Sequence, residues 1–465
     1  MKKFRANVFK ISVLMLTVSQ LISNLTSFNL LNLAAFFALI SLIFGFGFLN
    51  KLFRIVTLIF SLISFVLLIL DKQPLIIWQE SLNRMGGIIT ILTVMQLFMI
   101  PIESGHYDKT INYFLENKLK SPQRLFGFIM VITHFLASFL NLGALPIVLS
   151  LSKKPVQDRI ENNKTKKFLA ISTSRAYLLA TLWMPAGATI FLVSQITHLN
   201  WEILFIPNII LAVIGMVISF FLENNNLKKT KFKKISKISD DSKNQNKKNQ
   251  ISLYQVLFSI IILMVLIMVL IYIAKIPTFT AVSISGLIIT ILWLSFIKGF
   301  INSKTSIKQG AKNYWFHYIW RGSNLAPFFV AIGAFSKSLS SSPLQKILET
   351  NLKTDLMNLG VFVVVLIPII IVILALLGLH PLVGVLIVGQ FIVLMHLPIS
   401  MLTIGVALNF GASLASMLSP FAGAVAIIGA SLDAKTVNVA LRWNANFGLI
   451  YFVLGLVTAF LSGLF

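Results

Sequence analysis

Apolar runs separated by short polar stretches recur from one end of the chain to the other. Runs long enough for membrane helices lie at about 8–24, 29–48, 54–71, 85–102, 168–198 and 203–222, and again at 252–273, 278–298, 321–340, 398–430 and 440–464. Two further apolar segments, 124–152 and 358–395, carry turn residues near their middles. One polar stretch, "NNNLKKTKFKKISKISDDSKNQNKKNQ" (224–250), divides the pattern and reads as a solvated, disordered linker, with nine Lys against two Asp from 228 onward.

Composition places the chain in one class. It is 57% apolar and 11% charged, where soluble domains carry about a quarter charged residues. The pattern predicts an all-α polytopic membrane protein. The net charge of +25 would suit a nucleic-acid partner, but the Lys and Arg residues sit in loops between apolar runs, where they act as topology signals. The bilayer, and not nucleic acid, is the expected partner. Cysteine is absent, which excludes disulfides and thiolate chemistry. The start, "MKKFRANVFKISVLMLTVSQLI", has a basic end and an apolar run without a small-residue cleavage site, so it reads as a retained first helix.

The positive-inside rule then orders the spans. Lys2, Lys3 and Arg5 place the N-terminus in the cytoplasm; Lys51 and Arg54 follow after two crossings and the 103–124 loop after four. The next basic loop, "SKKPVQDRIENNKTKK" (152–167), also belongs inside, so 124–152 must enter and return on one face. Its arms of about 10–15 residues, at ~1.5 Å per residue, reach only part-way across. The tip falls at "SFLNLGALP" (138–146). Lys304, Lys308 and Lys312 fall inside as well. To bring Lys435 and Arg442 inside, 358–395 must be a second hairpin, entered from outside, with its tip at "LLGLHPLVG" (376–384). The expectation is about eleven spans plus two re-entrant hairpins, with the N-terminus in and the C-terminus out. It places Lys346 and Lys353 outside, partly balanced by Glu349 and Asp355. The Lys, Asn and Ile usage points to a bacterial plasma membrane.

Leaving aside residues 1–28 as an extra helix, 29–222 and 252–465 each give three spans, a hairpin and two spans, joined by the linker at 223–251. The odd number of crossings inverts the second copy, a plan common in secondary transporters. The span after each hairpin repeats a motif: "ATLWMPAGA" (180–188) and "ASMLSPFAGA" (415–424). Pro185 and Pro420 each remove a helical hydrogen bond inside a span, and Gly187 and Gly423 tolerate non-helical angles. Broken helices at mid-depth aim partial charges, positive at N-termini and negative at C-termini, into a common site.

This organisation resembles the ion transporter superfamily, and in particular the divalent anion/sodium symporters. The resemblance implies an inverted repeat with one hairpin opening inward and one outward, and a substrate site between tips and breaks. Those symporters carry Ser-Asn-Thr at each tip. Here the first tip has Ser138, Asn141 and Gly143, and the second Gly378, His380 and Pro381. The broken helices offer "STSR" (Ser172, Thr173, Ser174, Arg175) and "SMLSP" (Ser416, Ser419, Pro420), with Thr181, Asn409 and Ser413 nearby. These residues form the expected substrate and ion site.

Arg175, about two turns into its span, either holds a carboxylate or oxyanion or snorkels to the interface beside Lys166 and Lys167. His380 either binds substrate or titrates as a coupling site, or simply caps the hairpin; His134 and His396 fall near hairpin arms or ends. Glu103, Asp108, Glu202 and Asp433 lie at predicted ends or loops, so the spans lack the carboxylate relay of many proton-coupled carriers. "ESGHYD" (103–108) groups Glu103, His106 and Asp108 without a metal-site spacing, and the sequons at 24–26 and 163–165 are chance matches. No phosphate-cradling motif appears, so the chain is no ATPase.

The reading that follows is a secondary active transporter, not an enzyme, of a small anionic solute. It needs no organic cofactor and takes sodium or a proton as coupling ion, with a homodimer as one expected assembly. A membrane enzyme or lipid-handling protein, or a channel of the same fold, are the alternatives.

Overall fold

The computed structural model describes residues 2–105, 110–111, 114–115, 119–185, 187–233, 243–298 and 300–464. His106 and Asp108, the middle of the polar linker (234–242) and Ala186 lie outside them. Among the described residues there are helices and no strands, and nine helical stretches are long and apolar enough to cross a membrane. Five shorter apolar helices accompany them. The protein is an all-α, multi-pass membrane protein.

In chain order the principal helices are α1 (Lys2–Leu25), α2 (Leu31–Gly45), α3 (Lys51–Leu70), α4 (Leu75–Asn83), α5 (Gly86–Met95), α6 (Met99–Ser104), α7 (Pro122–Leu140), α8 (Ala144–Gln157), α9 (Asn162–Thr181), α10 (Ala188–Thr197) and α11 (Trp201–Lys228). Beyond the linker come α12 (Lys243–Tyr272), α13 (Thr278–Lys298), α14 (Phe300–Asn313), α15 (Ala326–Ser340), α16 (Leu344–Leu359), α17 (Phe362–Leu376), α18 (Pro381–Leu394), α19 (Met401–Leu418), α20 (Gly423–Leu432) and α21 (Ala445–Ser462).

Three expectations change. The linker is helical at both ends, because α11 continues to Lys228 and α12 begins at Lys243. Asn226 Nδ2 donates to Glu223 Oε2 at 3.0 Å, which ties the polar extension of α11 to a buried side chain. The stretch around Lys346 and Lys353, given no helix by the apolar pattern, is largely α16, where His396 Nδ1 meets Glu349 Oε1 at 3.4 Å. The span at 85–102 is the later part of a bent 75–104 stretch built from α4, α5 and α6.

The chain folds as two compact units, and each draws on both sides of the linker. One comprises Met1–Ser104, Ser259–Asn358 and Gln390–Leu397; the other comprises Gly105–Phe258, Leu359–Gly389 and Pro398–Phe465. In the first unit aromatic contacts join α3 to α15, Phe60 stacking on Phe335 with centroids 4.7 Å apart and Phe53 meeting Phe328 edge-on at 4.7 Å. The N-terminal helix is integral to this unit. Lys10 Nζ donates to Trp315 O at 2.9 Å and lies 5.1 Å from the centroids of Trp315 and Trp320. Asn24 Nδ2 donates to Thr280 Oγ1 at 2.9 Å.

The second unit contains the first predicted hairpin, residues 359–389 of the second, and both predicted breaks. Ser121 caps α7 by accepting from Arg124 N, with Pro122 at the first position, where its missing N–H is not needed. Asn141, in the left-handed region at φ 51°, turns the chain into α8. Phe126 meets Phe168 edge-on at 5.5 Å, and His134 Nδ1 lies 3.3 Å from Ala176 O. These pairs advance together, so α7 and α9 run parallel and start on one face, and α8 is the return arm.

The second hairpin repeats the plan. Gly378, at φ 94°, supplies the turn between α17 and α18. At Gly411 a Cβ would lie 2.8 Å from Pro368 Cα, and Ser419 Oγ donates to Ala375 O at 2.6 Å. Thus α17 runs parallel to α19. The arm of α7 has 19 residues, longer than expected, while α8, α17 and α18 have 14, 15 and 14.

The two broken helices lie antiparallel along their length. Lys166 Nζ meets Asp433 Oδ2 at 3.3 Å, Thr181 Oγ1 meets Ser413 Oγ at 2.9 Å, and a Cβ on Gly405 would touch Val193 Cγ1 at 3.6 Å. In both, the second half is a ten-residue helix that ends in a left-handed residue, His198 (φ 57°) or Asp433 (φ 49°).

The parallel run of α7 and α9 has a direct consequence for accessibility. Single cysteines at the exposed Lys120 and Lys154, in a chain with none of its own, should react with an impermeant maleimide from the same side. Both should be protected in intact cells and labelled after permeabilisation. Labelling of one and protection of the other would eliminate the hairpin.

Candidate functional site

The site is built on two interruptions. The first helix stops at Thr181 and resumes at Ala188; the second stops at Leu418 and resumes at Gly423. Pro185 and Pro420 lie inside the gaps, as their chemistry predicts. Each interruption strips the last turn of the leading half of its i+4 donors, and side chains from other helices take over part of that role.

At the first break, Asn409 Nδ2 donates to the Leu182 carbonyl at 2.7 Å and to Asn208 Oδ1 at 3.0 Å. Asn208 Nδ2 in turn donates to Leu204 O at 2.7 Å. One turn along α19 from Asn409, Ser413 meets Thr181, whose hydroxyl lies 2.6 Å from Leu178 O. Asn208, Asn409, Ser413 and Thr181 are all buried. Gly187 is extended at ψ 109° and opens α10.

The second break is contacted by both hairpins. Ser419 Oγ donates to Ala375 O at the end of α17 and accepts from Phe421 N at 3.2 Å. Leu142, in the first tip, faces it: a Cβ on Gly423 would make ordinary van der Waals contact with its Cδ1 at 3.5 Å. Asn141 Oδ1 accepts from Tyr177 OH at 2.7 Å, which anchors that tip to α9. At the second tip, His380 Nδ1 accepts from Leu382 N at 3.2 Å, just past Pro381, so its ring caps α18. The reading of His380 as a hairpin cap is the one this geometry carries.

Other candidate hydroxyls bond within their own helices: Ser138 to His134 O, Ser172 and Thr173 to Leu169 O, and Ser416 to Ala412 O. Gly143 opens α8 within the first tip. His134 is fixed between Ala176 O and Trp183 Nε1, which donates to its Nε2 at 3.1 Å.

Arg175 does not snorkel to the interface: its guanidinium is buried and held by protein groups. Nε donates to Asn444 Oδ1 at 2.9 Å, Nη1 to Ser219 Oγ at 3.3 Å, and Nη2 to Glu223 Oε1 at 3.0 Å and Trp443 O at 3.2 Å. The cation sits 4.8 Å from the Phe447 ring centroid, and the two charged side chains are 3% and 9% exposed. Four of the five N–H donors of an arginine are thereby used. Ser174 joins the same network by accepting from Asn444 Nδ2 at 2.9 Å. The spans therefore do hold a buried carboxylate, Glu223, and it serves as partner to Arg175. Glu202 is also buried. In the first unit, Glu103 accepts a hydrogen bond from Tyr318 OH.

Asn208, Tyr177, Glu223 and Asn444 are the residues that sequence reasoning missed. Asn208 had a signal: a single amide beside Pro207 in the apolar run "ILFIPNIILAV". Glu223 had none, lying where the apolar run of α11 gives way to Asn224–Asn226.

No protein-family model and no curated protein sequence matches the chain. Solved structures do. The chain is similar to the Alcanivorax borkumensis YdaH transporter, described as having an unusual topology, with a TM-score of 0.51 at 13% identity over 82% of this chain and 88% of that one. It is likewise similar to Neisseria gonorrhoeae MtrF, described as illuminating a class of antimetabolite efflux pumps, with a TM-score of 0.53 at 14% identity over 88% and 94%. The fold is thus one that these transporters share.

The Arg175 network makes a sharp prediction. Arg175→Gln leaves Glu223 buried without its cation, which costs about 3–5 kcal/mol. Melting of the purified protein should shift down strongly, and Arg175→Met with Glu223→Leu should restore most of the loss. A variant that melts like the native protein but loses solute affinity would return Arg175 to the binding site.

Proposed function

We propose that the chain is an alternating-access secondary transporter of a small anionic solute, coupled to an ion gradient, in which residues 29–222 and 252–465 act as inverted repeats in a bacterial plasma membrane. The observation that carries this reading is the set of helix N-termini in the second unit: α8 and α18 begin at the hairpin tips, and α10 and α20 begin at the breaks. Each such end carries about half a positive charge, and broken helices at a repeat interface bind substrate in this way in many carriers. The anion is held by these dipoles and by the hydroxyls and amides around them, since Arg175 is engaged elsewhere. Likeness to two transporter structures supports the carrier class. The description of one of them as an efflux pump favours export as the second reading of direction.

Reconstituted protein should exchange a labelled carboxylate or oxyanion across liposomes under an imposed sodium or proton gradient. Gly423→Val, which forces a side chain toward Leu142, should lower that exchange at least tenfold with little change in melting. Exchange of neutral solutes alone would end the anion reading. Gradient-independent flux at channel rates would end the carrier reading.

A further inference from the structure

An apolar groove of about 330 Å³ runs between α7 and α11 on the outer side of the second unit. Gly127, Met130 and Val131 form one wall, and Met216, Val217 and Phe220 the other. The missing side chain of Gly127 opens it: a Cβ there would meet the Phe220 ring at 3.7 Å. The α11 wall, residues 213–221, is ~12 Å long at ~1.5 Å per residue. Val131 and Val217 are exposed, so the groove is open along its length. Its floor is held from behind, because Ser219 Oγ donates to Met130 Sδ at 3.6 Å and accepts from Arg175 Nη1 at 3.3 Å. A wall of hydrocarbon, thioether and ring offers water no partners. A flexible apolar chain is what fills it.

One end of the groove is basic. Arg175 meets Glu223 while Leu179 packs on Gly215, so α11 runs antiparallel to α9 and hence to α7. The start of α7 and the end of α11 therefore lie together. Arg124 stands one turn before Gly127 on the groove side of α7, and Lys228 two turns past Phe221 on the same stripe of α11. Both are exposed, as are their neighbours Lys120 and Lys229. The first turn of α7 has no acidic residue, and Glu223, the one carboxylate in the last two turns of α11, is buried against Arg175. We propose that this groove binds an anionic phospholipid, with an acyl chain along Gly127, Met130 and Phe220 and its phosphate headgroup at Arg124 and Lys228. The positive-inside rule assigns that end to the inner leaflet, where basic pockets between membrane helices take acidic headgroups. A second copy of the chain is the poorer occupant, since a two-fold axis along the membrane normal would set basic end against basic end. The bound lipid ties α7 to α11 over the Arg175 brace, whatever solute the protein carries.

The test is thermal melting of the purified full chain in a neutral detergent, titrated with phosphatidylglycerol or with phosphatidylcholine of the same acyl chains. Phosphatidylglycerol should raise the melting temperature saturably, with its half-effect at a concentration about tenfold lower or more, given two basic groups at the headgroup. Arg124→Gln with Lys228→Gln, both at exposed positions, should remove most of that preference. Gly127→Leu fills the groove and leaves every charge in place, so it should abolish the saturable shift; Val217→Trp blocks the same groove from its exposed side and serves if Gly127→Leu folds poorly. Equal half-effects for the two lipids overturn the proposal. A phosphatidylglycerol shift that survives the folded groove variants is general attraction of a basic protein to anionic micelles, and overturns it too. So does an equal shift with glycerol phosphate, which has the headgroup charge and no acyl chain. A dimer that the groove variants dissociate, in a protein whose melting ignores both lipids, gives the groove to a second copy instead.

Discussion

A helix interrupted inside a bilayer exposes backbone groups where no water can take them, and each one left unpaired costs several kcal/mol. The second unit is arranged around meeting that demand. The Leu182 carbonyl, at the first break, accepts from Asn409, and Ala375 O, at the end of a hairpin arm, accepts from Ser419 of the second break. In each case the donor comes from a different helix from the acceptor. The breaks are therefore also the points where helices are tied to one another, so a change of shape at a break is transmitted to its neighbours. Asn409 shows how tightly this is specified: its two protons are committed, and the direction of its oxygen follows.

Arg175 works by a different rule. A guanidinium in an apolar interior is tolerable only when its charge and donors are met together. Glu223 meets the charge, Asn444, Ser219 and Trp443 O take the donors, and the face of Phe447 takes the cation. These partners bring α9, α11 and the approach to α21 to one point. The residue that looked most like a binding group in the sequence is a brace. The same physics that makes an intramembrane arginine suspicious, its high cost when unpaired, is what recruits four hydrogen-bond partners and an aromatic face to it.

Legibility in the sequence divides along these lines. The breaks were readable because their cause is local: Pro185 and Pro420 remove donors wherever they sit. The return of the chain at 141–143 was readable from the basic loops on both sides of its apolar segment, and the return at 377–380 from the need to bring Lys435 and Arg442 to the inside. The partners of Arg175 were not readable, because Glu223 and Asn444 lie 48 and 269 residues away and only the packing of helices unites them. The helical ends of the linker were missed for a related reason, since a Lys- and Asn-rich stretch gives no periodic signal. Asn226 is nevertheless held by Glu223, whose burial depends on Arg175.

Two binding regimes can then coexist in one unit without conflict. Helix N-termini gather at the hairpin tips and where α10 and α20 begin, while the C-terminal end of α9 stands at the first break beside Asn409 and Ser413. Dipole ends of opposite sign favour ions of opposite sign. A helix broken once presents both within a few residues, a C-terminus at Thr181 and an N-terminus at Ala188. An anion and a cation placed at these two ends would screen each other's charge in a medium of low dielectric, where isolated charges are costly. In the proposed carrier, binding of one would lower the cost of binding the other, and by linkage that effect would be reciprocal. A broken helix is thus a means of coupling two ions that needs no buried carboxylate, which fits a unit whose buried Glu223 is already committed to an arginine.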